Sequence, residues 1–166
     1  MTPVLSKPTD ADADELARGI RAFDAEEVAR FDGSTPLVHV RRAIAGSAAS
    51  FSLRTEPEGP LLAIFGARFD SLLSDAATMW LLTTREVDRR PLSFLRCCRA
   101  CLDAAFAAVP AASSFANVVP ANHSRTLEWL RWMGASEFEA ITLGGTRAVP
   151  VTIRREPWAQ QPCRSS

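Results

Sequence analysis

Histidine and tyrosine, two side chains that often transfer protons in enzymes, are rare or absent in this chain. His39 and His123 are the only histidines, and there is no tyrosine. His123 follows Asn122 at the start of a predicted helix, where a helix-terminus role or plain exposure outweighs general-base catalysis. His39 stands near two arginines on another predicted helix, so we expect it on the surface. Neither histidine is predicted to be catalytic.

Three carboxylates, Glu86, Asp88 and Glu128, are conceivable bases for an amine substrate. The sequence identifies no partner for any of them, and charged residues mostly lie on solvated faces. We therefore predict no catalytic residue.

Three of the four cysteines, Cys97, Cys98 and Cys101, fall in one predicted helix, and Cys163 is far along the chain. A structural zinc site needs about four ligands within tetrahedral reach, and the other candidates are scattered. A nucleophilic cysteine would need a histidine–acid pair that is not recognisable here. We predict reduced, buried cysteines that pack against a sheet, with no metal and no disulfide framework.

The elements that must position these residues alternate between strands and helices. We predict a strand at 15–21, then a helix at 25–31 with Asp24 as N-cap and Glu27 at capping-box spacing. Ser34, Thr35 and Pro36 start a second helix, which ends near Gly46. The later predictions are strands at 50–56, 61–69 and 78–84, the longest helix at 91–109 with Leu95 in its apolar stripe, a strand at 114–119, a helix at 122–133, and strands at 137–143 and 148–154. This order indicates a layered α/β domain over residues 1–155, with a polar tail at 156–166.

Composition narrows the function classes. The chain has 166 residues, 47% hydrophobic content and zero formal net charge, so it lacks the basic field that drives nucleic-acid binding. The N-terminus has no secretory pattern, and prolines at 110 and 120 interrupt the most apolar region. We expect a soluble protein made in a cytoplasm, with no nucleic-acid or membrane partner.

The four tryptophans suggest one docking candidate. Trp80 is predicted to lie in the core, and one of Trp129 and Trp132 is predicted to be partly exposed. Trp158 in the tail, with Arg154 and Arg155, is the predicted partner-docking group, because exposed Trp and Arg are enriched at interface hot spots.

Two segments of the second half carry a resemblance to a known family. Residues 115–122 read Phe-Ala-Asn-Val-Val-Pro-Ala-Asn, and residues 127–135 read Leu-Glu-Trp-Leu-Arg-Trp-Met-Gly-Ala. They resemble the signature of the GNAT N-acetyltransferases, although Ala135 stands where phenylalanine is usual. The resemblance implies a mixed, mostly antiparallel central sheet flanked by helices.

A narrower resemblance covers nearly the whole chain. Residues 16–27, 61–66, 79–84 and 117–130 are similar to the GNAT-like internal virion proteins of short-tailed bacteriophages. This implies a structural or assembly component of a phage virion, made in the bacterial host cytoplasm. Its partners would be other virion proteins, with a homo-oligomer within the particle as an option.

The GNAT resemblance also implies acetyl-CoA, whose pyrophosphate would lie at the turn 85–91. That turn has no glycine, and Glu86 and Asp88 place negative charge near the expected anion site. The residue that matches the family's tyrosine acid is Leu130. We therefore expect no cofactor.

The alternative is an acetyl-CoA-dependent N-acetyltransferase acting on an amine, and a third option is a cofactor-binding module without turnover. In the alternative, the edge of the strand at 78–84 would hold the pantetheine. The cofactor contacts would be Thr84, Arg85, Arg89, Arg90 and Asn122.

Overall fold

The structure, a computed structural model, describes residues 4–71 and 73–156. Its elements in chain order are β1 Val4–Ser6, α1 Asp10–Gly19, α2 Ala22–Phe31, α3 Pro36–Ala45, β2 Ala49–Arg54, β3 Leu61–Arg68, β4 Ala76–Thr83, α4 Glu86–Arg89, α5 Pro91–Ala108, β5 Ser114–Pro120, α6 Ser124–Trp132, β6 Ser136–Glu137, β7 Ile141–Leu143 and β8 Thr146–Arg154. The strands pair in the order β1-β2-β3-β4-β5-β8-β6, and β7 also pairs with β8. Among the strand pairs whose register the structure describes, β4 and β5 run parallel and the others run antiparallel, so the predicted mixed, mostly antiparallel class is confirmed.

Contacts divide the chain into two compact units. Unit 1 comprises Met1–Arg68 and Trp80–Val109, and unit 2 comprises Phe69–Met79 and Pro110–Ser166. The expected single domain over 1–155 stays a prediction.

The core of unit 1 forms between β3 and the first three helices. Leu16 from α1, Val40 from α3 and Ile64 from β3 are fully buried in one apolar cluster. Every residue of β3 except Arg68 is buried, which confirms the predicted central strand. Trp80 packs against this cluster while partly buried, and its indole N–H donates to Ser47 Oγ at 2.8 Å.

The predicted strand at 15–21 is wrong, because α1 occupies most of that segment. Thr9 caps the helix through a reciprocal capping box with Asp12. Asp10 and Asp12 in the first turn favour a helix start, and Ala13 and Leu16 fall on one buried face. Only Ile20 keeps strand character, as a single antiparallel bridge to Thr84.

The predicted N-cap of α2 is also wrong. The helix begins at Ala22 after Arg21, which makes no side-chain cap bond. Asp24 lies inside the helix, where its carboxylate accepts hydrogen bonds from Thr83 instead. The next prediction is confirmed: Thr35 caps α3, and Pro36 occupies its first turn.

Unit 2 is organised around the pairing of β5 with β8, which runs antiparallel from Ser114↔Arg154 to Pro120↔Ala148. Val119, Leu127 and Val151 form its apolar cluster, which joins the sheet to α6. The predicted strand at 137–143 is interrupted and becomes β6 and β7. Among the described residues, no helix is long and apolar enough to cross a membrane.

Candidate functional site

The candidate site lies in unit 1, at the end of β4 and in the turn that follows it. Thr84 donates its backbone N–H to Leu62 O of β3 at 2.9 Å. Neighbouring residues of a strand point their backbone groups to opposite edges, so the groups of Thr83 and Arg85 face the other edge of β4. This second edge is where strand-like hydrogen bonds to a ligand are expected.

Protein groups already occupy that edge. Thr83 N–H donates to Asp24 Oδ2 at 2.8 Å, and Thr83 O accepts the N–H of Arg21 at 3.1 Å. Arg85 N–H donates to Gly19 O at 2.9 Å. Segment 19–24 contains the junction between α1 and α2. It therefore covers this edge from Thr83, the last residue of β4, to Arg85.

The turn after β4 folds into the short helix α4 rather than an open loop. Val87 N–H donates to Thr84 O, Asp88 N–H to Arg85 O, and Arg90 N–H to Glu86 O, all within 3.2 Å. Glu86 N–H points to the buried Thr84 hydroxyl at 3.3 Å. A pyrophosphate cradle needs backbone N–H groups that point outward, and these point into the turn itself.

The three arginines predicted to contact phosphate also have protein partners. Arg85 donates to the backbone carbonyl of Arg18, and Arg89 donates to the Glu86 carboxylate. Arg90 lies 4.0 Å from the same carboxylate. Asp88, a conceivable base, forms an ion pair with Arg21 at 2.8 Å. Each of these four side chains thus has a protein partner, either within the turn or on segment 18–21.

Two carboxyl groups on α2 have perturbed acidity. Burial raises the pKa of Asp24, and the hydrogen bonds from Thr83 only partly offset this. Burial likewise raises the pKa of Glu27, and the nearby Asp24 charge adds to it. Raised carboxyl pKa values are a property that this pair shares with catalytic bases.

His39, predicted to lie on the surface, is partly exposed and has a carboxylate partner that the sequence did not reveal. It is half-buried, and its Nδ1 lies 3.0 Å from Asp32 Oδ2. Asp32 also accepts hydrogen bonds from Ser34 and Arg42. Hydrogen bonds from Ser34 and His39 lower the pKa of Asp32. The cluster ties the end of α2 to α3.

Unit 2 holds the remaining predicted site residues. Asn117 on β5 donates its amide to Met79 O at 2.8 Å, just beyond the last registered β4–β5 pair, Thr78↔Ala116. Asn122 is exposed in the turn before α6, and His123 precedes that helix without capping it through its side chain. Leu130, at the tyrosine position, packs against the unit 2 core. Glu128 is exposed.

The predicted burial on one helix is confirmed for Cys97, Cys98 and Cys101, which lie on α5. Burial raises the pKa of Cys97 and, more strongly, that of Cys101, so neither is an activated nucleophile. Within residues 4–71 and 73–156, no group of three or more His, Cys, Asp or Glu side chains is placed to hold a metal ion.

The predicted partner-docking group is only partly described. Arg154 is exposed at the end of β8. Arg155 donates its Nε–H to Ala112 O at 2.9 Å, so this side chain makes a contact within its own chain. Trp158 and Cys163 lie outside the described residues. Of the two tryptophans on α6, Trp132 is the exposed one.

Sequence reasoning missed the contact between Asp24 and Thr83. The capping-box spacing of Asp24 and Glu27 suggested that Asp24 bonds to its own helix. Its hydrogen-bond partner is instead Thr83, 59 positions away. A usable signal was the position of Asp24, four residues after Ile20, because the segment around Ile20 was expected to lie beside the sheet.

Comparisons with known proteins place this geometry in a known fold. No family profile and no curated protein sequence matches the chain. Among solved structures, a chimera of spermidine N-acetyltransferase from Vibrio cholerae and hSSAT aligns with a TM-score of 0.71 at 10% identity, over 97% of this chain and 100% of that one. The Vibrio cholerae spermidine N-acetyltransferase in complex with CoA and spermine gives 0.71 at 9% identity, over 95% and 98%.

A GNAT-family acetyltransferase from Bacillus anthracis gives a TM-score of 0.68 at 8% identity, over 93% of this chain and 95% of that one. At such low identity the likeness concerns the fold alone. The chain has the GNAT acetyltransferase fold.

Proposed function

We propose that this chain is a GNAT-fold domain that acts by binding other proteins and does not turn over acetyl-CoA. One observation carries the proposal: the backbone N–H groups of Thr83, Thr84, Arg85, Glu86, Val87, Asp88 and Arg90 all donate to protein acceptors. A cofactor on the open side of β4 would have to replace the acceptors of Thr83 and Arg85 along the strand edge, and those of the turn N–H groups beyond them.

The energetic cost of such a replacement supports the proposal. Each hydrogen bond contributes about 1 kcal/mol net, and a buried group left without its partner costs more. Freeing Thr83 would leave the Asp24 carboxylate buried without its donors, since both residues are buried. Freeing Arg89 for phosphate would break its pair with Glu86.

Acetyl transfer to an amine is the second candidate, and the comparisons favour it over a virion role. The solved structures compared above are acetyltransferases, and one of them holds CoA and spermine. The raised pKa values of Asp24 and Glu27 also suit a group that accepts a proton from an amine.

The finer proposal, a component of a short-tailed phage virion with other virion proteins as partners, rests on the sequence resemblance alone. It is compatible with a binding domain that lacks a cofactor.

Calorimetric titration of acetyl-CoA into the purified chain tests the proposal, with Vibrio cholerae spermidine N-acetyltransferase as positive control. We expect no heat and no thermal shift at millimolar ligand, because a ligand bound only by the native state must raise its stability. Micromolar binding that weakens in Arg89→Ala/Arg90→Ala would replace this proposal with acetyl transfer.

A further inference from the structure

The first turns of α5 expose two leucines. Leu92 is 65% exposed and Leu95 is 37% exposed. The buried side of the helix is formed instead by the three cysteines, Leu102, Ala105 and Phe106. The prediction that Leu95 belongs to the buried stripe is therefore wrong, because the stripe follows Cys98 and Leu102.

Positive charge is concentrated in the stretch of sequence that contains these leucines. Residues 85–99 contain five arginines and two acidic residues, a local charge of +3 in a chain whose net charge is zero. Arg96 is exposed, next to Leu95 and one turn from Leu92. The Arg89 side chain is 72% exposed despite its pair with Glu86. No acidic residue lies in the first turn of α5.

Leucines at i and i+3 with arginines beside them form a surface with both an apolar and an electrostatic preference. Leucine side chains favour another apolar surface, and the arginines favour carboxylates around it. An amphipathic helix offers an apolar stripe for the leucines, and acidic residues beside that stripe offer carboxylates for the arginines. A nucleic acid would satisfy the arginines and leave both leucines in water.

We propose that the α5 docking surface, formed by Leu92, Leu95, Arg96 and Arg89, binds an acidic amphipathic helix of a partner protein. This inference rests on the proposed function, and it names the chemistry of the partner. The segment from β4 to α5 thereby serves as a protein-binding surface.

Fluorescence anisotropy with a synthetic peptide tests the proposal. The probe is a labelled 18-residue peptide with leucines on one helical face and glutamates elsewhere, compared with a scrambled peptide and a lysine-for-glutamate peptide. The protein variants are Leu92→Ala/Leu95→Ala and Arg96→Glu. The matched control is Leu143→Ala/Arg147→Glu, an exposed leucine and arginine in unit 2.

We expect micromolar, salt-sensitive binding that both α5 variants weaken at least about tenfold, while the control variant stays within about twofold of the wild type. Equal binding of the scrambled peptide, equal effects of the control variant, or no binding at millimolar peptide would overturn the proposal. Tighter binding to phosphatidylglycerol vesicles that needs the same residues would also overturn it, in favour of a membrane surface. The acetyl-CoA titration tests the proposed function independently, so a failure of that proposal and a failure of peptide binding give different results.

Discussion

The carboxylate of Asp24, on α2, accepts the backbone N–H of Thr83, on β4, at 2.8 Å. The two residues are 59 positions apart in sequence, and both are buried. The Thr83 hydroxyl donates to the same carboxylate oxygen. This contact closes the edge of β4 at the point where a bound pantetheine is expected, and it does so with a charged group whose burial is costly.

The Asp24 contact predicts a pH-dependent stability. Burial raises the pKa of Asp24 in the folded protein above the ordinary value of an aspartate, 3.8. The carboxyl therefore contributes stability that is full below the unfolded pKa and is lost as the pH rises through the raised folded value. Asp24→Asn keeps an acceptor and removes the charge. We expect urea unfolding to show the variant gaining on the wild type as the pH rises above the unfolded pKa of Asp24 and through its raised folded value.

Glu26→Gln, on the same helix, is the matched control, because any pH effect common to both variants reflects general loss of charge. A difference between wild type and Asp24→Asn that stays constant with pH would contradict the predicted burial of a titrating group.

A second prediction concerns the cluster that fixes α1 to β2. Arg54 donates to Asp12 Oδ1 at 2.5 Å, Glu15 Oε2 at 2.7 Å and Gly59 O at 2.7 Å. Burial alone would raise the pKa of Asp12, but the hydrogen bonds from Arg54 and Thr9 lower it. We expect Arg54→Met to cost about 3 kcal/mol in urea unfolding at neutral pH, because it leaves a buried carboxylate unpaired.

Because the pKa of Asp12 is lowered, its stabilisation is present above the unfolded value of 3.8 and is lost as the pH falls through the folded value. The wild type should therefore lose more stability on acidification than Arg54→Met does. Arg41→Met, which breaks an exposed pair with Asp14, serves as control and should cost at most about 1 kcal/mol. Similar costs for the two variants would refute the account of this cluster.

The third prediction is a steric one at Gly66 on β3. A Cβ there would lie 2.7 Å from the backbone O of Ala49 and 3.0 Å from the Trp80 ring. The backbone oxygen belongs to a paired strand and cannot move cheaply, so we expect Gly66→Ala to destabilise the protein by about 2 kcal/mol. Gly46→Ala, whose nearest contact is 3.4 Å, is the control. Thermal melts that coincide for the two variants would show that β2 and β3 are not paired as described.

The fourth prediction is that the α5 thiols are inert in the native protein. Burial raises the pKa of Cys97 and Cys101, which suppresses the thiolate that reacts with disulfide reagents. In a Cys163→Ser background, we expect negligible thiol labelling of the native chain at pH 8 and complete labelling after unfolding. Rapid native labelling would mean that this face of α5 is accessible.

Much of the fold could be predicted from local patterns. The apolar run of β3, the three-and-four spacing of α5, and the Thr35–Pro36 start of α3 each encode an element without help from the rest of the chain. The predicted strand at 15–21 failed because the apolar residues Leu16 and Ile20 fit a helical face, and the capping box starting at Thr9 decides the outcome.

The site was less accessible to sequence reasoning. The absence of a glycine marks residues 85–91 as unusual for a cofactor-binding turn. The partners of Arg85 and Asp88, however, depend on contacts with segment 18–21, which the sequence of the turn does not contain. The partner of His39 was likewise hidden, because Asp32 comes close only when α2 and α3 pack together. Pairs that form only when two elements pack together have no sequence periodicity that would reveal them.

Residue-resolved amide hydrogen exchange, with and without millimolar acetyl-CoA, tests the central claim most directly. In the free protein, the backbone N–H groups of Thr83 to Asp88 and of Arg90 all donate to protein acceptors. We predict slow exchange at Thr83, Thr84 and Arg85 in the free protein, with no change on adding acetyl-CoA. Fast exchange in the free protein, followed by protection across this segment when acetyl-CoA is added, would contradict the account and identify the turn as a working cofactor site.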